Sequence, residues 1–229
     1  MLNSHFFADA DFLELLRFWE TMRGGRALPD WDGDLGVIPR VLLPNLIISN
    51  RISGEPIYRY VGATCVRRFG RDPTGERAYA DILRGAHARY LRSLSQETLT
   101  RRAPVFSAAF YQPDADLSDM LMTGRLHAPF TYQGSPDPFV LMAVQLFRGS
   151  DSDLRRLGRS GVVQEVRRDL ITDAAQLSAR LAEAQRAFQL SAHTHQRTLV
   201  QDIEAVVTAL TGGALLPLPC HEEPDPTPA

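Results

Sequence analysis

The sequence predicts an α+β fold: a five-stranded antiparallel sheet with short helices on one face, an N-terminal cap helix and a long C-terminal helix. Three observations lead there. Strand-like segments arrive as a pair and then a trio, with helical periodicity between the two groups. The links inside each group are short and rich in turn formers, as hairpins require. The last strand-like segment, "PFVLMAVQLF" at 138–147, is apolar on both faces, so something must cover each side of the sheet. The small helices can cover one side, leaving the other to the N-terminal helix or a partner subunit.

Residues 11–23, "DFLELLRFWETMR", place Phe12, Leu15, Leu16, Trp19 and Met22 on one helical face, and Gly24-Gly25 ends the run. A proline-punctuated link comes next, with Val37, Ile38, Val41 and Leu42 apolar enough to wrap against a core. "NLIISNRI" (45–52) and "PIYRYVG" (56–62) read as strands joined by a short Gly-containing turn. Residues 63–69 read as a short helix closed by Gly70, and Asp72-Pro73-Thr74-Gly75 carries the residues of a type I turn. "YADIL" adds a helical turn. The helix expected over 84–100 carries Leu83, His87, Tyr90, Leu91, Leu94 and Thr98 on one face. Pro104 ends it, and "PVFSAAFYQ" (104–112) and "DMLMTGRLHAPF" (119–130) lead to the last strand.

Composition narrows the chemistry. Of 229 residues 44% are apolar and the net charge is −2, which argues against a dominant nucleic-acid surface. All 25 basic residues are arginine, which excludes Walker-lysine and Schiff-base chemistry. Cys65 and Cys220 form no C-x-x-C pair, so neither a zinc cluster nor a disulfide framework is expected. No leader-like N-terminus and no long apolar run is present, so the chain reads as cytoplasmic, without a membrane or nucleic-acid partner.

Past residue 150 the pattern changes. Leu177, Leu181, Ala184, Phe188, Ala192, His195, Leu199, Ile203, Val206 and Leu210 repeat every eleven residues, a helical stripe, and Val166 and Leu170 continue it backwards. The expected division is therefore a domain at 1–150, a helical interaction segment at 151–211 and a disordered tail at 212–229. A narrow apolar stripe needs cover from the same chain, a second copy or another protein.

Two stretches, "FWETMRGGRALPDWDGDLGVIPRVLLPNLIISNRI" and "YRYVGATCVRRFGRDPTG", carry a resemblance. With Trp19, Arg23, Gly25, Leu28, Pro29, Ile38, Pro39, Leu43, Pro44, Tyr58, Arg59, Gly62, Phe69, Gly70, Arg71, Asp72, Thr74 and Gly75 in place, residues 12–147 resemble a family of PAS-like proteins common in α-proteobacteria. The resemblance implies a sensory or regulatory domain, with no particular ligand. The segment after residue 160 lies outside it.

Several side chains invite a chemical reading. His87, facing inward with Tyr90, is a core histidine by default; haem ligation is the alternative, and no cofactor is expected. Cys65 opens the short helix, away from the position of a flavin-adduct cysteine, and reads as a packed thiol. Arg125 and His127 share one face of a strand; if that face is internal they suit an anionic ligand such as a carboxylate. Tyr58 and Tyr60, with Arg59 opposed, pose the same choice of face, with packing as the default. His193 and His195 raise a phosphoacceptor reading, His193 being the more exposed, but neither has an adjacent acid. Catalytic motifs are absent, and the chain is not expected to be an enzyme. The expected function is signal transduction: a candidate cavity formed by His87, Tyr90, Arg125 and His127 senses a small ligand or partner, and the C-terminal helix relays it as a homodimer or to a helical partner. The alternatives are a ligand-free scaffold module and phosphotransfer through His193.

Overall fold

The computed structural model describes residues 9–52, 54–83, 85–112, 121–135, 140–148, 162–188 and 190. The chain divides into two units, Met1–Ala187 and Phe188–Ala229. The first is a mixed α+β structure. Helix α1 (Asp9–Arg23) and a two-residue strand β1 (Asp30–Trp31) precede the hairpin β2 (Leu46–Ile52) and β3 (Glu55–Val61). Helix α2 (Ala63–Phe69), a single π turn (Ala78–Ile82) and helix α3 (Gly85–Arg101) come after the hairpin. Strands β4 (Val105–Gln112), β5 (Leu121–Tyr132), β6 (Val140–Arg148) and β7 (Val162–Leu170) come next, and a helix, α4, begins at residue 174 and continues to the end of this unit.

The strands lie in the order β3-β2-β6-β5-β4-β7, each pair antiparallel, with β1 added in parallel to the end of β5. Among the described residues the sheet thus has six strands in its path plus a short seventh, not five. The extra long strand is β7, where a backward extension of the C-terminal helix was expected. Its residues bond to β4 from Val105↔Leu170 to Gln112↔Val162, so the sheet continues past residue 150. The helix starts later, and "ITDAAQ" fixes where: Asp173 Oδ1 accepts from Gln176 N at 2.8 Å while Gln176 Oε1 accepts from Thr172 N at 2.7 Å. Asp173 thus caps the helix, and Gln176 reaches back to the residue before the cap, a variant of the capping box. From there the expected stripe holds, with Leu177, Leu181 and Ala184 buried.

Helices cover both faces of the sheet. On one side α1 buries Phe12, Leu15, Leu16, Phe18 and Trp19. Phe12 meets Phe106 edge-on at 5.8 Å, and Trp19 Nε1 donates to Pro129 O at 2.7 Å. On the other side α3 buries five of the six residues read from its periodicity, His87, Tyr90, Leu91, Leu94 and Thr98, while the sixth, Leu83, is buried at the end of the π turn before α3 begins. Of the apolar link residues, Ile38 and Leu42 are buried while Val37 and Val41 stay exposed.

Two local geometries depart from expectation. The hydrogen bond of the turn after α2 runs from Glu76 N to Pro73 O at 3.0 Å, one residue later than Asp72–Gly75, with Gly75 at φ 88°. Asp72 Oδ1 instead accepts from Thr74 N and Thr74 Oγ1, holding the entry to the turn. On β3 the register shifts opposite Ile48/Ser49, so that Ser49 pairs with Tyr58 and Ile48 with Tyr60. This bulge sends Tyr58 toward α3 and Tyr60 to the other side, although alternation alone puts both on one face.

Gly62 caps α2 and receives the chain from β3. A Cβ there would stand 2.5 Å from Pro44 O and closer still to Leu43 O. The backbone of the Leu43–Asn45 3₁₀ turn needs that space, and Gly62 N donates to Leu46 O at 2.8 Å. Replacing Gly62 by Ala is expected to destabilise the protein by about 3 kcal/mol, measured by urea denaturation. A change below about 0.5 kcal/mol would contradict this packing.

Candidate functional site

Strand register sets out the α3-facing side of the sheet in rows. One row reads Arg168, Ser107, Arg125, Gln145 across β7, β4, β5 and β6; the next reads Leu170, Val105, His127, Ala143, Ile47. Period-two alternation therefore places Arg125 and His127 together on the inner side, beneath α3. Both are buried, at 1% and 3% exposure.

Arg125 is the centre of a polar cluster. Its Nη1 donates to Thr123 Oγ1 at 2.9 Å, and its Nη2 lies 3.0 Å from His87 Nε2. A guanidinium has only donors, so Nε2 of His87 accepts and the imidazole proton sits on Nδ1. The His87 ring packs on Tyr111 with centroids 4.7 Å apart, and the guanidinium carbon of Arg125 lies 5.4 Å over the Tyr90 ring. Burial lowers the Arg125 pKa, an effect that Tyr90 opposes.

From Tyr90 the bonding continues outward. Its hydroxyl lies 2.7 Å from Ser107 Oγ, and Ser107 Oγ lies 2.7 Å from Glu165 Oε1 on β7. Arg168 clasps both oxygens of Glu165, at 2.6 and 3.0 Å, and reaches Ser93 and Glu97 on α3. On the opposite face of β7, Arg167 pairs with Asp169 and with Glu183 of α4, while Arg180 of α4 meets Asp169 at 3.1 Å. One strand thus touches the buried cluster on one side and α4 on the other.

His127 belongs to a different space. With Ile47, Ser49, Tyr58, Tyr79, Ser95 and Gln145 it lines a cavity of about 40 Å³, room for one to a few waters. Its Nδ1 is buried without a hydrogen-bond partner. Burial, with the charges of Arg125 and Arg168, pushes the imidazole pKa down to about 3, so the ring is neutral at physiological pH. Ser49, Pro56, Tyr79, Ser95 and Leu141 are shared with an outer cleft of about 340 Å³ that opens between β2, β3 and α3 at Arg51, Arg92 and Gln96. The Tyr79 hydroxyl donates to Ser95 Oγ at 3.2 Å across this shared wall.

All four sequence-read site residues therefore meet under α3, but they divide. His87, Tyr90 and Arg125 form one hydrogen-bonded and stacked cluster, and His127 is the member that lines the cavity. The residues present do not fit a haem: Nε2 of His87 is committed to Arg125, and neither this cavity nor the outer cleft is lined by His87. Cys65 is 1% exposed, its Sγ lies 3.6 Å from Asn45 O, and burial pushes its thiol up to about 11. His193 and His195 lie outside the described residues. Sequence reading missed Tyr79, Ser95, Arg51 and Arg92, which long-range packing brings together, and it missed Glu165 and Arg168 because their strand was taken for helix. The Thr172-Asp173-x-x-Gln176 box was the available signal for that strand's end. Among the described residues no cluster of His, Cys, Asp and Glu suits a metal ion, and no helix is long and apolar enough to cross a membrane.

No protein-family model, curated protein or solved structure matches the chain.

A histidine at about 3 in the fold and 6.5 when unfolded takes up its proton only on unfolding within that pH window. His127 therefore costs no stability above pH 6.5 and progressively more as the pH falls toward 3. Its share is about 1.4 kcal/mol per pH unit. Urea denaturation across this range is expected to show a slope that is shallower by that amount in His127→Leu. Equal slopes would mean that the imidazole is not held neutral.

Proposed function

We propose that this chain is a PAS-like regulatory protein: a ligand or partner acts on the space between the sheet and α3, and the change reaches α4 through β7. The order of elements within 12–147, two strands, short helices, a long helix and three strands, is the one the family resemblance implies. The observation that carries the proposal is the position of β7. Its inner side is bonded through Glu165 and Arg168 to Ser107 and α3, and its outer side through Arg167 and Asp169 to α4. A shift of α3 against the sheet changes the first set of bonds and biases the second. Such coupling requires an occupant with different affinity for the two packings. The continuing C-terminal stripe then serves as the output surface, for a second copy or a helical partner.

Filling the inner cavity from within mimics an occupant without requiring its identity. Ala143 lines that cavity and is 4% exposed. In Ala143→Leu, amide exchange in 162–170 and 174–187 is expected to change severalfold relative to wild type, beyond the changes in β6 itself. Exchange altered only around residue 143 would favour a rigid scaffold and overturn the sensory reading.

A further inference from the structure

The sensory reading leaves the occupant open, and the outer cleft carries chemistry that narrows it. Arg51 and Arg92, both exposed at the rim, form no ion pair with a described residue. Arg51 uses Nε on Gly54 O at 3.1 Å, and Arg92 rests 4.8 Å over the Tyr79 ring. The one acidic residue of the lining, Glu55, is committed elsewhere: its Oε1 accepts from Tyr79 N at 2.7 Å and Ala80 N at 3.0 Å. Those bonds fix the π turn, a local geometry that recurs at functional sites. Two guanidiniums against the one carboxylate of Glu55 leave the lining net positive, and the guanidiniums suit a carboxylate. Below it the walls are Pro56, Leu99, Leu141 and the ring of Tyr79, which favour a flat apolar body. Behind the wall that Tyr79 and Ser95 share with the cleft, in the adjoining inner cavity, stands the neutral imidazole of His127 with its buried, unpartnered Nδ1. A volume of about 340 Å³ is in the range of small-molecule sites.

We propose that this cleft binds a small hydroxylated aromatic carboxylate, its anion between Arg51 and Arg92 and its hydroxyl directed inward to His127. The proposal rests on the sensory reading and gives the ligand its chemical class. Entry of the hydroxyl end takes the place of the Tyr79–Ser95 bond, which joins the π turn to α3. Occupancy thereby loosens one tie between α3 and its surroundings and supplies another through the ligand. No bond is made or broken covalently.

The test is calorimetric titration with three probes: para-hydroxyphenylacetate, the neutral alcohol para-hydroxyphenylethanol, and phenylacetate. Amide NMR of Tyr79 and Ser95 locates the site. The hydroxylated acid is expected to bind, to exceed the alcohol roughly ten- to hundredfold, and to exceed phenylacetate severalfold. In the Arg51→Gln/Arg92→Gln double variant, altered only at exposed positions, acid and alcohol should bind alike. If the alcohol binds wild type as tightly as the acid, or the double variant keeps the preference, the anion assignment is overturned while ligand sensing survives. If none of the three gives heat or moves those amides at millimolar concentration, the ligand class is overturned. The sensory reading itself stands or falls on the separate exchange experiment with Ala143→Leu.

Discussion

A guanidinium at 1% exposure has to be surrounded by groups that replace its water, and Arg125 is so placed between the sheet and α3. Thr123 and His87 accept from it, and Tyr90 offers it the face of its ring. Each of these sits where it does for a backbone reason. Thr123 is two residues back on the same strand, and His87 and Tyr90 are three apart on α3, hence on one face of the helix. Partnering both terminal nitrogens and the face of one buried cation thus ties the rotation of α3 and its distance from β5. Ser107, opposite Arg125 in the register, then receives the Tyr90 hydroxyl. A buried network of this kind resists partial disruption, because each group that loses its partner is left desolvated.

β7 extends this constraint outward. Ser107 hands the Tyr90 interaction to Glu165, and Arg168 ties Glu165 back to α3 through Glu97. The shift in register between Ala108 and Ala109 lets Glu165 and Arg168, three residues apart, both reach the inner side of the sheet. Arg167 and Asp169 are left for α4. Surface ion pairs of this type add little stability in isolation. Their importance lies in geometry: α4 is placed by side chains whose backbone neighbours are already held by the interior.

The periodicities of the sequence delimited α1, α3 and β2 to β6 to within about two residues, since each has one face, or two, whose apolar spacing is unambiguous. The same reading placed His87, Tyr90, Arg125 and His127 near one another, because helix and strand periods determine the inward side chains once the two elements are stacked. Three features escaped it. In "VVQEVRRDL" the polar residues Glu165 and Arg168 serve a buried network, so Val166 and Leu170 fit an eleven-residue helical stripe as well as a strand. The bulge that separates Tyr58 from Tyr60 is a property of pairing between strands, invisible in either strand alone. The cleft draws on β2, β3, the π turn and α3, with no common spacing among Arg51, Tyr79 and Arg92. A site assembled by tertiary packing leaves its chemistry in the sequence but not its address.

The central claim is that the buried arginine and the outer strand are energetically joined through Tyr90 and Ser107. A double-mutant cycle on Arg125→Met and Glu165→Gln, read as unfolding free energy in urea, measures that link directly. The path Arg125–Tyr90–Ser107–Glu165 predicts a coupling of about 1 kcal/mol. Additivity of the two substitutions within about 0.3 kcal/mol would contradict it and separate the interior from β7.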